Sequence, residues 1–233
     1  MRRAMLTIVI LLVASVSATA GGCDVGPAAS PSAAPATAPV SQEVPLPPPR
    51  TEGAVSLEAC LARRRSVRSY TDKALSWEQV GQLLWATQGL TADWGGRTAP
   101  SAGALYPLEV YVATREGVYR YMPQGHWLVT VAPDDRRRTL QAASLNQSAV
   151  GSAPAVFVVT GVYARTAGKY GDRATRYVWL EAGHVAQNLL LQAVALELGG
   201  VPIGAFDDAG VQRALGLPAD HEPLYVIPVG YPG

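Results

Sequence analysis

Lys169 and Tyr170 stand side by side, with Arg173 and Arg176 close behind and Glu181, His184, Asn188 and Gln192 spaced along the segment that follows. A lysine–tyrosine pair can take a proton from a reacting carbon or return one. Both side chains titrate near about 10 when free, so at neutral pH such a pair needs burial or a neighbouring cation to act as a base. Arg173 and Arg176 are close enough in sequence to supply that field. The plainer alternative is a surface lysine beside a packing tyrosine. Glu181, His184, Asn188 and Gln192 fall near one face of a helix, where a hydrogen-bonded stripe supporting subunit packing is the simplest reading.

Two further segments could hold a ligand. Arg64, Ser66 and Arg68 alternate, so an extended backbone directs all three to one side and concentrates positive charge there. Taken alone, the same residues describe a solvated basic helix end. Pro100, Ser101, Ala102 and Gly103 are small and include a glycine, as a backbone needs where it approaches a flat ligand closely; a bare turn is the alternative.

The elements that must position these residues follow from periodicity. Leu57 to Arg64 reads as a helix, and Ser76-Trp77-Glu78-Gln79 is a capping-box start for a second helix to about Gln88, ended by Gly89. Leu108–Thr114, Val118–Met122 and Trp127–Val131 alternate as antiparallel strands, and the apolar run Ala155–Val162 is a buried strand. Asp134–Asn146 reads as a helix. From Thr175 to Leu198 the chain is apolar on most faces, which marks a helix in the core or at a subunit interface, capped by Gly199-Gly200. A loop from Ile203, a short helix Asp208–Leu215 and a strand Leu224–Val229 complete an α+β pattern.

Together these segments resemble the nitroreductase superfamily over roughly residues 56 to 231, and within it the SagB-type (thiazole/oxazole-forming) dehydrogenases. The resemblance implies a nitroreductase-like fold, a central antiparallel-rich sheet flanked by helices, in an obligate homodimer with FMN at the subunit interface. It implies Arg64 and Ser66 at the FMN phosphate and Arg68 at the ring or ribityl chain. Pro100, Ser101, Ala102 and Gly103 would lie at the flavin pyrimidine, and the backbone N–H groups of Gly204 and Ala205 at its N5 and O4. Lys169 and Tyr170 match the proton-transfer pair of azoline-oxidising members, whose substrates are small or peptide-derived. Many family members carry a basic cluster near the C-terminus, whereas this chain ends Pro228-Val229-Gly230-Tyr231-Pro232-Gly233, leaving the phosphate to Arg64, Arg68 and Arg97. A generic nitro- or quinone-reductase, or a flavin-binding lipoprotein without turnover, are the competing readings.

Composition agrees with one catalytic domain. Of 233 residues 48% are hydrophobic, enough for a sizeable core, and a net charge of +1 argues against nucleic acid as a partner. Cys23 and Cys60 are the only thiols, so no zinc site is expected, and Cys60 reads as a buried small hydrophobe. Arg2-Arg3, an apolar run from Ala4 to Val16 and small residues up to Gly22 have the layout of a signal peptide over 1–22. Cys23 then stands at a lipobox position, although cleavage after Ala20 without lipidation also fits. The segment 23–50 is Pro/Ala-rich, with eight of the eighteen prolines between residues 24 and 50, and is expected to be an extended tether to the flavin domain over 51–233. The protein is thus expected to be exported and held at the membrane only through a lipid anchor. The export route, general or twin-arginine, stays open.

Overall fold

The computed structural model describes residues 42–233. The expected signal peptide, the lipobox cysteine and the tether up to residue 41 lie outside the described residues. A seven-stranded sheet forms the centre, in the order β1-β4-β3-β2-β5-β7-β6 with every pairing antiparallel. Its strands are β1 (Glu43–Pro45), β2 (Leu108–Ala113), β3 (Val118–Met122), β4 (Trp127–Ala132), β5 (Ala155–Gly161), β6 (Gly199–Gly200) and β7 (Glu222–Gly230). The helices are α1 (Leu57–Arg63), α2 (Trp77–Gln88), α3 (Arg137–Ala143), α4 (Ser148–Ser152), α5 (Tyr163–Tyr170), α6 (Ala174–Ala195) and α7 (Asp208–Leu215).

The two-residue strand period divides the core. Leu108, Val110 and Val112 of β2 and Ala155, Phe157 and Val159 of β5 point to the face covered by α2 and α6. Their neighbours Tyr111, Ala113, Val156 and Val158 point to the other face, under α3, α4 and α7. Strand β5 is buried along its whole length, which is why it reads as a continuous apolar run. Helix α2 begins as expected: Ser76 Oγ accepts from the Gln79 N–H at 3.3 Å and Gln79 Oε1 accepts from the Ser76 N–H at 3.1 Å. A cap of this kind contributes about 1 kcal/mol.

Three local expectations are corrected, and Lys169 and Tyr170, which periodicity left unassigned, gain an element. The tether expected as far as residue 50 already belongs to the domain at its end: Glu43–Pro45 pairs with β4, and Leu46 is buried in the core. The helix expected over 134–146 stops at Ala143, because Leu145 and Asn146 turn left-handed, and a second short helix follows. Lys169 and Tyr170 end a helix of their own, α5, and Gly171 at φ +51° separates it from α6. Gly199-Gly200 does not cap α6. Glu197 takes the left-handed position, and the glycines form edge strand β6. Their type answers a packing need, since a Cβ on Gly199 would lie 2.5 Å from Val67.

Among the described residues no helix is long and apolar enough to cross a membrane. Cys60 is buried, as expected.

Candidate active site

Pro100, Ser101, Ala102 and Gly103 belong to the loop that leads from the region after α2 into β2. Gly103 has φ +63°, and the non-glycine residues Ala104 and Tyr106 are also left-handed at +56° and +46°. Each such L-residue costs roughly 1–2 kcal/mol, and strain of this kind concentrates where a loop is held in one functional shape. The holding contacts are visible: the Tyr106 N–H donates to Ser101 Oγ at 2.9 Å, and the Arg97 N–H donates to the Tyr106 hydroxyl at 3.2 Å.

The proton-transfer candidates meet this loop. Adjacent residues on a helix do not face the same way, yet a Cβ on Gly103 would lie 2.8 Å from both Lys169 Nζ and the Tyr170 hydroxyl. The convergence depends on Tyr170 being the last residue of α5, its backbone already off the helical path at φ −116°, ψ 2°. Tyr170 is half-buried and packs edge-on against Tyr177, ring centres 5.0 Å apart. Lys169, Arg173 and Arg176 are exposed. The pair therefore presents an ammonium and a hydroxyl together at a glycine whose missing side chain leaves them accessible.

Beneath the loop lies Glu181 of α6, 3% exposed, in hydrogen-bonding contact with Ser101 and with Gln88 Nε2 at 3.4 Å. Burial pushes its pKa above a free glutamate's 4.5, against the lowering effect of those hydrogen bonds. The folded protein thus holds this proton more tightly than the unfolded chain. Stability from this group is complete below pH 4.5 and is lost as pH rises through the higher folded value. Glu181→Gln removes that component, so the difference in Tm between variant and parent should grow in the variant's favour from pH 4.5 to pH 8. A difference independent of pH would contradict it.

Three of the four stripe residues form a polar seam between α6 and the α2 region. Glu181 bonds Gln88, Asn188 Nδ2 donates to the Thr98 carbonyl at 3.3 Å, and Gln192 Oε1 accepts from Gln82 Nε2 at 3.2 Å. His184 is exposed and takes no part.

Arg64, Ser66 and Arg68 lie elsewhere, along the sheet edge. Ser66 bridges Gly200 in a parallel pairing, and the Val67 N–H donates to the Gly200 carbonyl at 3.1 Å. That extended pairing turns Val67 inward against Gly199 and leaves Ser66 and Arg68 exposed and Arg64 half-buried. Among the described residues, Arg64, Arg65 and Arg68 make no salt bridge. A cavity of about 270 Å³ opens here, lined by Arg64, Val67, Leu190, Val194 and Gly200. Ile203 anchors the following loop to Val226, while Gly204 and Ala205 are exposed, with open space where a Gly204 Cβ would be. Guanidinium groups without carboxylate partners among the described residues are suited to holding an anion.

The two clusters occupy opposite ends of α6. The Gly103 cluster lies at its N-terminal end and the Arg64 cluster at its C-terminal end, and a helix of 22 residues is about 33 Å long. Arg97, named above as a phosphate candidate, belongs to the Gly103 end: its guanidinium stacks on the Tyr106 ring at 4.4 Å and donates to Gln88 Oε1 at 2.9 Å. The network that joins Arg97 to Gln88, Tyr106 and Glu181 had no signature in the sequence, because its members are brought together from four separate segments.

Known proteins share this architecture. A model of the nitroreductase family matches residues 61–231. A protein of Methanocaldococcus jannaschii named as a nitroreductase is 42% identical over 182 residues, spanning 76% of this chain and 91% of its own. A crystal structure of a nitroreductase-type protein from Ralstonia eutropha superposes with a TM-score of 0.75 at 30% identity, covering 85% of this chain and 93% of that one. The fold also occurs in the Escherichia coli microcin synthetase McbBCD complex, at a TM-score of 0.65 and 24% identity over 79% of this chain and 75% of that one. Fold and sequence agree, and the chain belongs to the nitroreductase family of oxidoreductases.

Proposed function

We propose that the protein is an FMN-dependent dehydrogenase of the SagB type, acting as a homodimer on an azoline ring in a small or peptide-derived substrate. The observation that carries this reading is the meeting of Lys169 Nζ and the Tyr170 hydroxyl at Gly103. A simple flavin reductase has no need of a paired ammonium and hydroxyl there, whereas oxidation of an azoline ring requires removal of a carbon-bound proton. The fold also occurs in the E. coli microcin synthetase McbBCD complex with truncated pro-MccB17 bound, which is in keeping with such a substrate.

The residues present fit FMN. Arg64 and Arg68, without carboxylate partners among the described residues, would hold the phosphate with Ser66, and the exposed N–H groups of Gly204 and Ala205 would donate to the ring edge. Bound flavin supplies a ring that accepts two electrons as hydride. The neutral amine of Lys169 or the phenolate of Tyr170 would take the proton, becoming ammonium or phenol, and the Ser101–Tyr106 loop keeps both groups at one spot. Since the Arg64 and Gly103 clusters flank opposite ends of α6, one cofactor reaches both only if two chains pack with their α6 helices side by side and reversed. Exposed Leu180 and the partly exposed Leu191 and Val194 of α6, with exposed Leu57 and Leu61 of α1, offer apolar surface for that packing.

We place the protein outside the cytoplasm, anchored through a lipid on Cys23, on the strength of the leader-like residues 1–22 and the Pro/Ala-rich stretch that follows.

Purified protein is expected to be yellow or to turn so on adding FMN. A charge-assisted phosphate contact contributes about 1.5–3 kcal/mol, so Arg64→Glu should weaken FMN binding by tenfold or more in a fluorescence titration. Colourless protein with no titration signal would overturn the cofactor assignment.

A further inference from the structure

A second cavity, of about 230 Å³, lies between β2, β3 and α5, behind the Ser101–Tyr106 loop. Its floor is Leu108 and Val110, each 2% exposed, with Gln88 and Tyr121, and its mouth is marked by the exposed Gln124 and Arg165. Arg97 projects into this space. Its guanidinium is fixed by Tyr106 below and Gln88 to one side, but its Nε is buried and has no hydrogen-bond partner. No carboxylate lies within ion-pair distance of it among the described residues.

The two nearby acids, Glu109 in the cavity lining and Glu181 beneath the loop, compensate it only in part. Glu109 is already engaged by Arg165 in a salt bridge at the cavity mouth. Glu181 has its pKa raised by burial and so resists carrying charge, while burial lowers the pKa of Arg97 itself, as expected of a cation withdrawn from water without a full counter-charge. A half-buried guanidinium without a full counter-charge is costly unless an anion completes it. Guanidinium and carboxylate match geometrically, with two parallel N–H···O bonds. The apolar floor beside it calls for an anion that carries a hydrocarbon end rather than a bare inorganic ion.

We infer that this cavity binds the carboxylate of a small organic acid, with the Arg97 guanidinium as its counter-charge and Leu108 and Val110 against its apolar end. The site is separate from the Arg64 cluster and does not depend on the redox assignment. It is nonetheless close to the proton-transfer pair, since Arg165 at its mouth stands one helical turn before Lys169 on the same face of α5.

Isothermal titration of the full-length protein with isovalerate and with isovaleramide tests the site, because the two share shape and differ in charge. Isovalerate should bind saturably and at least tenfold more tightly than the amide. Arg97→Gln should abolish that preference, and Arg165→Gln, at an exposed position, should reduce it by freeing Glu109 to compete for Arg97. Equal binding of acid and amide, or a preference unchanged in Arg97→Gln, would overturn the inference. If circular dichroism shows that Arg97→Gln has not folded, Arg97→Lys keeps the charge and loses the forked donors; its acid preference should fall several-fold, and an unchanged value again overturns the inference. Binding is read without turnover, so failure here leaves the redox assignment standing, and failure of the redox assignment leaves this site standing.

Discussion

Lys169→Ala and Tyr170→Phe are each expected to slow flavin reduction by an azoline-containing peptide by about 10²- to 10⁴-fold, the usual contribution of a positioned acid or base. Flavin content and oligomeric state should stay at parental values, since neither side chain touches the Arg64 cluster. The size of the effect follows from geometry. Lys169 is exposed and Tyr170 half-buried, so neither contributes much to folding, yet both polar ends meet at Gly103. Stopped-flow absorbance under anaerobic conditions separates the outcomes. Parental rates in both variants would make the pair structural and return the protein to a generic nitro- or quinone-reductase, a reading the M. jannaschii relative also accommodates. Loss of flavin from either variant would instead place the residue in the cofactor shell.

Much of this arrangement was legible in the residues, and the exceptions share a cause. The Ser76 capping box, the alternation of β2 and the unbroken apolar run of β5 are local signals, and each appears where the pattern puts it. Of the Arg64–Arg68 segment, Ser66 pairs in extended form with Gly200, while Arg64 ends α1 and burial does not alternate from Arg64 to Ser69. Gly199-Gly200 misled for the opposite reason. A glycine pair after a helix is a normal stop signal, but here it answers Val67, more than a hundred residues away, which leaves no room for a Cβ. The left-handed Ala104 and Tyr106 carry no sequence signal at all, since their conformation is enforced by Ser101 and Arg97. His184 shows the limit of helical periodicity. It falls within the stripe by spacing, yet faces solvent, because the seam it would join is set by where α2 lies.

The separation of the two clusters leads to the second large effect. If one cofactor is held by Arg64 of one chain and served by Lys169 of the other, two inactive variants should complement. Co-expression of a chain carrying Arg64→Glu with a chain carrying Lys169→Ala, each with its own affinity tag, allows the mixed dimer to be isolated. In that dimer one site has lost both residues and the other has kept both. The mixed dimer should therefore bind about one FMN per dimer and reduce it at the parental rate, giving about half the parental activity from two chains that are each inactive alone. A site contained within a single chain makes the opposite forecast: the one FMN retained would sit on the chain lacking Lys169 and would be reduced 10²- to 10⁴-fold more slowly. A retained flavin reduced at the slow rate would refute the shared site while leaving the roles of Arg64 and Lys169 intact. The fast rate would require the α6 helices of two chains to lie reversed against each other, because the Gly103 cluster meets α6 towards its N-terminal end and the Arg64 cavity meets it towards its C-terminal end.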